Sequence, residues 1–593
     1  MASLTSAAGR RSWAPALPGW LRRDGAPLAA FALAALALML PVLPDPRTLV
    51  LGWPADNIQY IYVTGWMARA LVQGASPLVD PHLNYPDGLH LMATDVPYVG
   101  TLAVAPITLL FGPVFGYNAL IALAHLLSGY CAYLWLRAVT GSRLAGLVAG
   151  LAFMLAPYRA AHSTGHLQLV STYPLPLFFW ALDSTLRAPQ RPWRAAAALV
   201  GATFLVGAAS QYYLVICAVT GLAYALLALA VDERPAPEQA SGALRPLRGP
   251  LLAAAAALAG ALLSALPSLD VARGDGFERY DLAEMRRWLA SPVNFLAPSH
   301  LHPLWGELVG RLRPETLWVE KTLYVGAAAG LLALAALVWR CSPYRRLSLA
   351  WLGTALVAAV FALGTDLHAG NLPLQPENPV WLPAYYLSQL PLVGAMRVWS
   401  RFGVVTILFV ALLAGLGAAL LTSGSHGRER PGEARPGGRL RGGAVAALLV
   451  GLVVLDLLPG GLGSFALGPR RVDLWLAQRP GDFAVGFVPQ IDDLTNYRVL
   501  YGSLVHGKRA PALMHPRHPP AAFRRFGEAA RGFPDEGSAQ RLRAMGLRYL
   551  VLERAVFDGR RAFAWRTVEE RLAATPSLYV VADLGDTVVV GFR

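Results

Sequence analysis

Asp56 stands in "GWPADNIQYIYVTGW" (52–66), just after an apolar stretch and just before a run of aromatic residues. A carboxylate in that setting has two uses. It can take the proton of a hydroxyl that is otherwise a poor nucleophile, or it can start a helix. Gln59 lies three residues on, a capping-box spacing that predicts a helix over 57–73. The roles are compatible because a carboxylate has two oxygens. Ile58, Ile61, Tyr62, Trp66 and Leu71 would give this helix an apolar, partly aromatic flank suited to the lipid headgroup region.

Other chemistry-bearing residues lie in later segments. His162 and His166 stand in "YRAAHSTGHLQLVSTYP", where a histidine near a helix end either orients a ligand or is a hydrogen-bonded structural residue. Arg397 and Arg401 are four residues apart in "MRVWSRFG", hence on one helix face if a span begins there, as anchors or as anion contacts. Glu320 is expected to pair with its neighbour Lys321. Asp275, Glu278, Asp281 and Glu284 are spaced like a solvated helical face, and the nearby His300 and His302 could line a cleft or its lid. Asp183 sits close to basic residues, towards which it would snorkel. His506 and Lys508 share the tail phrase "YGSLVHGKRAPALMHP". No phosphate loop, nucleophile elbow, repeat or metal-ligand spacing is present, so no cofactor is predicted; a divalent metal at Asp56 has no support in the spacing.

The surrounding chain dictates where these residues can work. Of 593 residues 55% are hydrophobic, in blocks of about 18 to 22 that match a bilayer core. Such segments must satisfy their own backbone hydrogen bonds, and they are too long for barrel strands, so an α-helical polytopic membrane protein is predicted. The formal charge of +15 would suggest nucleic acid in a soluble protein, but the arginines concentrate between apolar blocks, where they set orientation. Nucleic acid is therefore excluded as a partner. Cys131, Cys217 and Cys341 are too far apart for a disulfide framework or a thiolate site.

Arginine clusters at 10–23, 137–143, 187–194, 234–248, 340–346 and 428–441 are placed in the cytoplasm. Eleven spans follow, at 27–44, 117–137, 143–158, 173–186, 195–212, 213–231, 250–268, 321–339, 347–364, 402–422 and 443–462. The first lacks a small-x-small cleavage site and is read as uncleaved. The stretch 97–113 does not fit the charge pattern as a crossing and is read as interfacial or re-entrant. This divides the chain into a cytoplasmic N-terminus (1–26), a transmembrane part (27–465) with outer loops 45–116, 158–172, 269–320 and 365–401, and a tail (466–593) outside. In the tail, "FAVGFVP", "LRYLVLE", "LYVVADL" and "TVVVGF" read as strands among helical stretches, predicting a small extracytoplasmic α/β domain.

The order of these parts resembles the GT-C superfamily of polytopic glycosyltransferases, which includes protein O-mannosyltransferases and aminoarabinose transferases. The resemblance rests on the acidic motif "PADN" after the first span, the long first loop with "SPLVDPHLNYPDG", the segment "GHLQLVSTYPLPLFF", and "RVWSRF" entering a late span. It implies transfer of a sugar from a polyprenyl-phosphate-linked donor to a lipid, glycan or protein acceptor outside the plasma or inner membrane, with Asp56 as general base. It implies that Asn57, His162, His166 and His506 contact substrate, and that Arg159, Lys321, Arg397 and Arg401 are the candidates to stabilise the departing lipid phosphate. Many members carry a second acidic residue in the second outer loop; this chain has His162 and His166 there instead. A flippase of lipid-linked saccharides would need broken helices or ionisable groups at mid-membrane, and a non-catalytic scaffold with the same fold is the third reading.

Overall fold

A computed structural model describes residues 19–187, 191–231, 248–269, 280–312, 318–339, 342–370, 372–375, 377–390, 393–423, 436–489, 493–514, 519–560 and 564–593. The arginine clusters at 10–23, 234–248 and 428–441, together with Asp275, Glu278 and Cys341, lie wholly or largely outside the described residues.

Among the described residues, six helices are long and apolar enough to cross a membrane: Pro113–Thr140, Pro192–Ala209, Gln211–Ala230, Arg248–Ser268, Arg345–Ala362 and Trp399–Thr422. The other expected spans are helical too: Gly19–Leu38 has 20 residues and Pro436–Asp456 has 21, and three are shorter. Arg143–Met154 and Ala327–Val338 have 12 residues each, and Pro174–Arg187 has 14. Among the described residues, six of the eleven expected crossings are helices that meet both the length and the apolarity of a bilayer span. Local chemistry explains two of the differences. Arg143–Met154 stops early because Ala156, forced extended (ψ 131°) ahead of Pro157, closes one helix before the next begins. Ala327–Val338 starts late because Gly326 takes φ 90°, leaving Lys321 in a separate turn, Trp318–Lys321. The stretch 97–113 holds two short helices, Tyr98–Ala103 and Ala105–Phe111, neither of bilayer length.

Helix Gly403–Ser423 is the axis of the bundle. It packs on Ala327–Val338, Arg143–Met154 and Arg345–Ala362, and small residues let the backbones close up: a Cβ on Gly417 would lie 1.9 Å from the Leu332 carbonyl oxygen. Helices Gln211–Ala230 and Arg248–Ser268 instead leave Leu222, Leu226, Leu258 and Leu262 exposed, the faces that lipid would cover.

At one end of the bundle the first loop and the tail fold together. Strand Leu49–Leu51 pairs antiparallel with Ser464–Ala466, and helix Asn57–Gln73 packs along tail helix Asp493–His506. This corrects the expected surface helix. Ile58, Ile61, Tyr62 and Trp66 are buried against protein and only Leu71 is exposed, because the tail covers the flank that lipid was expected to cover. The four tail runs form one mixed sheet in the order Ala484–Val488, Leu547–Glu553, Thr587–Phe592, Leu578–Asp583; the first pair is parallel and the others antiparallel. Alternation splits its faces: Val485 and Phe487 join the core over the first loop, whereas Ala484 and Val488 join the outer core with Phe526, Leu542 and Val568.

Candidate active site

Two close approaches bring the first and second loops together. Gly52 (φ 93°) lies so near Thr164 that a Cβ would sit 2.7 Å from its Cα. The Asn57 amide donates to the carbonyls of Leu51 (3.3 Å), Trp53 (2.9 Å) and Thr164 (3.2 Å), and its carbonyl accepts from Ala55 N (3.0 Å). Asn57 is wholly buried. Its side chain knots the loop, which corrects the expectation that it contacts substrate.

Asp56 is thereby presented beside His166. Its side chain makes no cap hydrogen bond to helix Asn57–Gln73, which corrects the capping-box reading; Asn57 holds the turn instead and leaves the carboxylate available. One oxygen, Oδ1, accepts from the Tyr497 hydroxyl at 3.1 Å. The other, Oδ2, is 3.7 Å from His166 Nε2, with Asp56 39% and His166 24% exposed. Asp56 therefore opens towards solvent.

A line of ionisable groups runs inward from this pair. His166 Nδ1 lies 3.3 Å from His162 Nδ1, and His162 Nε2 lies 3.8 Å from Glu320 Oε2. Glu320 is gripped by both arms of Arg401, Nη2 to Oε1 at 2.6 Å and Nε to Oε2 at 3.1 Å, a bidentate charge-assisted pair. Arg401 also lies over the Tyr212 ring, 4.3 Å from its centroid. Burial drives both histidines below the ordinary imidazole range, although Glu320 pulls the other way. Both are neutral at neutral pH. Burial alone would raise the Glu320 carboxyl, but Arg401 beside it holds it well below the carboxylate range. The expected Glu320–Lys321 pairing is corrected: Glu320 reaches Arg401 across 81 residues.

Glu320 is a second carboxylate in this cluster, contributed by a segment the sequence does not connect with it. Asp95 is another acid nearby. It accepts from the Ser210 hydroxyl (2.5 Å) and Gln211 N (2.8 Å), and its backbone carbonyl accepts from Tyr60 (3.0 Å). Burial raises its carboxyl; Ser210, Gln211 and Arg401 oppose the rise. His162, His166 and Glu320 have ligand atoms within 4.8 Å of one another, so among the described residues they form a group that could take a cation.

The remaining candidates are dispersed. Arg159 is fully buried and donates to the carbonyls of Met154 (3.3 Å) and Ala124 (3.1 Å) and to the Thr172 hydroxyl; this corrects the phosphate role to a structural one. His506 accepts from Lys508 N (2.9 Å) nine residues beyond Tyr497 on the same helix, about 13 Å along its axis, so it is corrected out of the site. Lys508 donates to the carbonyls of Arg479 and Gly481. Lys321 is buried and contributes to the charge around His368. Arg397 reaches Glu284 at 3.3 Å over Trp288, 4.8 Å from the ring centroid. Its Nε is buried with no hydrogen-bond partner among the described residues. Glu284 thus belongs to an ion pair, which corrects the solvated-face reading, while Asp281 caps helix Leu282–Arg286. His302 is held by Asp456 O at 3.0 Å. Asp183 pairs with Arg187 (2.6 Å) and Tyr224 (2.7 Å).

Tyr497 and Glu320 are the participants that sequence reasoning missed. No local signal marks the tyrosine, which arrives from 441 residues away.

Comparison with solved structures places this architecture. The arabinofuranosyltransferase AftD from Mycobacteria matches with a TM-score of 0.54 and 18% identity over 95% of this chain and 41% of that one. The chain thus spans about two fifths of that protein's length. ArnT from Cupriavidus metallidurans, bound to undecaprenyl phosphate, matches at TM-score 0.47 and 13% identity over 96% of this chain and 98% of that one. The oligosaccharyltransferase AglB from Archaeoglobus fulgidus, in complex with an inhibitory peptide and a dolichol-phosphate, matches at 0.46 and 12% over 97% and 74%. Among curated proteins nothing matches. The fold is shared with the arabinofuranosyltransferase AftD. Residues 26–418 match a family model described as "Domain of unknown function (DUF6311)", and the chain belongs to that family.

Proposed function

We propose that the chain is a membrane glycosyltransferase that moves a sugar from a polyprenyl-phosphate donor to an acceptor outside the membrane, with Asp56 as general base. The observation that carries this reading is Asp56 itself. It is a partly exposed carboxylate held between Tyr497 and a neutral His166, on a loop pinned in place by Asn57. The acceptor hydroxyl would attack the anomeric carbon as Asp56 takes its proton. The bond from that carbon to the phosphate oxygen would break on the opposite side, inverting the centre. The leaving lipid phosphate keeps the bonding electrons and needs a cation.

Both arginines are ion-paired, Arg401 bidentately with Glu320 and Arg397 through one longer contact with Glu284; Arg397 keeps its Nε without a partner among the described residues and is the candidate for that phosphate. His166 feels the fields of Asp56, Glu320, Arg397 and Arg401 together, which supports a shared electrostatic environment. The side of the membrane, the donor sugar and the acceptor belong to this proposal too. Transfer of an arabinofuranosyl unit is the chemistry named for AftD, and a pentose donor heads the series to try.

The test uses proteoliposomes of the purified chain with polyprenyl-phosphate donors carrying labelled pentoses or hexoses and an extract of cell-envelope glycans as acceptor. Label should move to the acceptor as free polyprenyl phosphate appears. Turnover of none of the donors, or label carried across the bilayer with the donor intact, would contradict the reading.

A further inference from the structure

Away from Asp56, the tail sheet carries a cavity of about 490 Å³ between helix Trp565–Ala573 and strand Leu578–Asp583. That strand is one edge of the sheet; the opposite edge, Ala484–Val488, is the one beside the first loop. We propose that this cavity is a binding site for a neutral saccharide.

The size is right for a small ligand, and on an otherwise mostly aliphatic lining two aromatic rings, Trp565 and Tyr579, stand with four charged side chains. Tyr579 is 43% exposed and lies over Gly591, its partner in the neighbouring strand; a Cβ on that glycine would meet the ring at 2.9 Å. The missing side chain lets the ring lie against the sheet, where it offers one face outward. Aromatic faces of this kind hold the C–H face of a sugar ring, whose axial hydrogens are slightly positive. Trp565 forms the wall, with its indole N–H donating to Glu569 at 2.6 Å.

The polar groups fix the ligand's charge. Arg554 and Arg593 face Glu569 and Asp583 across the same cavity, two guanidinium groups against two carboxylates, so no net charge selects an ion. Arg554 Nη2 bonds Asp583 at 2.7 Å, while its Nε is a buried donor with no partner among the described residues. Carboxylates that accept and guanidiniums that donate, side by side, match hydroxyl groups, each of which does both. An extended peptide adding to the edge is disfavoured, because the register breaks at Val589/Val590 and Asp583 and Arg554 blunt the edge with charge.

The inference does not depend on the transferase reading, since binding is read without turnover. The full-length chain in nanodiscs is presented to arrays of immobilised neutral hexose and pentose oligosaccharides, acidic oligosaccharides and random peptides. Neutral oligosaccharides should be retained. Tyr579→Ala, a change at an exposed position, and Glu569→Gln, which keeps an acceptor for Trp565, should each weaken retention at least tenfold with unchanged thermal unfolding. Three outcomes would overturn the proposal: no neutral oligosaccharide retained, retention that survives both substitutions, or preference for peptides or acidic glycans.

Discussion

At the scale of single residues, the site is a set of partners that keep one carboxylate ready. Tyr497→Phe deletes a hydrogen bond to a charged group, about 1.5–3 kcal/mol. The reaction should slow roughly 10- to 100-fold in kcat with little change in KM, measured in the proteoliposome assay. Deeper in, Glu320 and Arg401 are both buried. Glu320→Gln strands a guanidinium and should cost about 3–5 kcal/mol of stability. Adding Arg401→Gln should recover much of that loss in a double-mutant thermal-unfolding cycle. His506 gives a pH prediction. Burial lowers it from 6.5 to about 4, so between those values the unfolded chain binds a proton that the native chain does not. Stability is then lost as pH falls through that window, and the drop in melting temperature between pH 7 and pH 5 should be smaller in His506→Gln. The sequence displayed Asp56, His162 and His166 because they lie within local patterns. It hid Glu320 and Tyr497 because their partners are contributed by remote segments.

At the scale of elements, helix positions were legible and helix lengths were not. Apolar blocks mark every helix of the bundle, yet Ala156 ahead of Pro157 and the positive φ of Gly326 cut two of them short, and a hydropathy window averages over such stops. The role of helix Asn57–Gln73 was hidden for another reason. An aromatic flank looks the same whether lipid or the tail helix Asp493–His506 covers it. Close packing at the bundle axis makes its own prediction. Gly417→Leu forces a side chain onto the Leu332 carbonyl and should lower thermal stability by at least a few kcal/mol, since overpacking of this kind costs about 1–3 kcal/mol even where the neighbours can move. By contrast, trimming an exposed side chain of the bundle, Leu258→Ala, should be close to neutral.

At the scale of the whole molecule, the site is assembled from distant parts of the chain. The first loop supplies Asp56, the second loop His162 and His166, a segment ahead of helix Ala327–Val338 supplies Glu320, the start of the axial helix Arg401, and the tail Tyr497. The pairing of Leu49–Leu51 with Ser464–Ala466 ties the first of these to the last. A chain ended at residue 463 should lose turnover and show fast amide exchange over 49–66, while helix Gly403–Ser423 keeps its protection. The GT-C resemblance was legible from the order of motifs alone. Which residues meet was not, because that depends on loop closure.

The account stands on Asp56. The direct measurement is the initial rate of sugar transfer from polyprenyl-phosphate donor by Asp56→Asn beside the unaltered chain, with matched folding and matched donor binding. Loss of general-base catalysis should reduce the rate about 10²- to 10⁴-fold with donor affinity retained. Transfer at the unaltered rate by Asp56→Asn would contradict it.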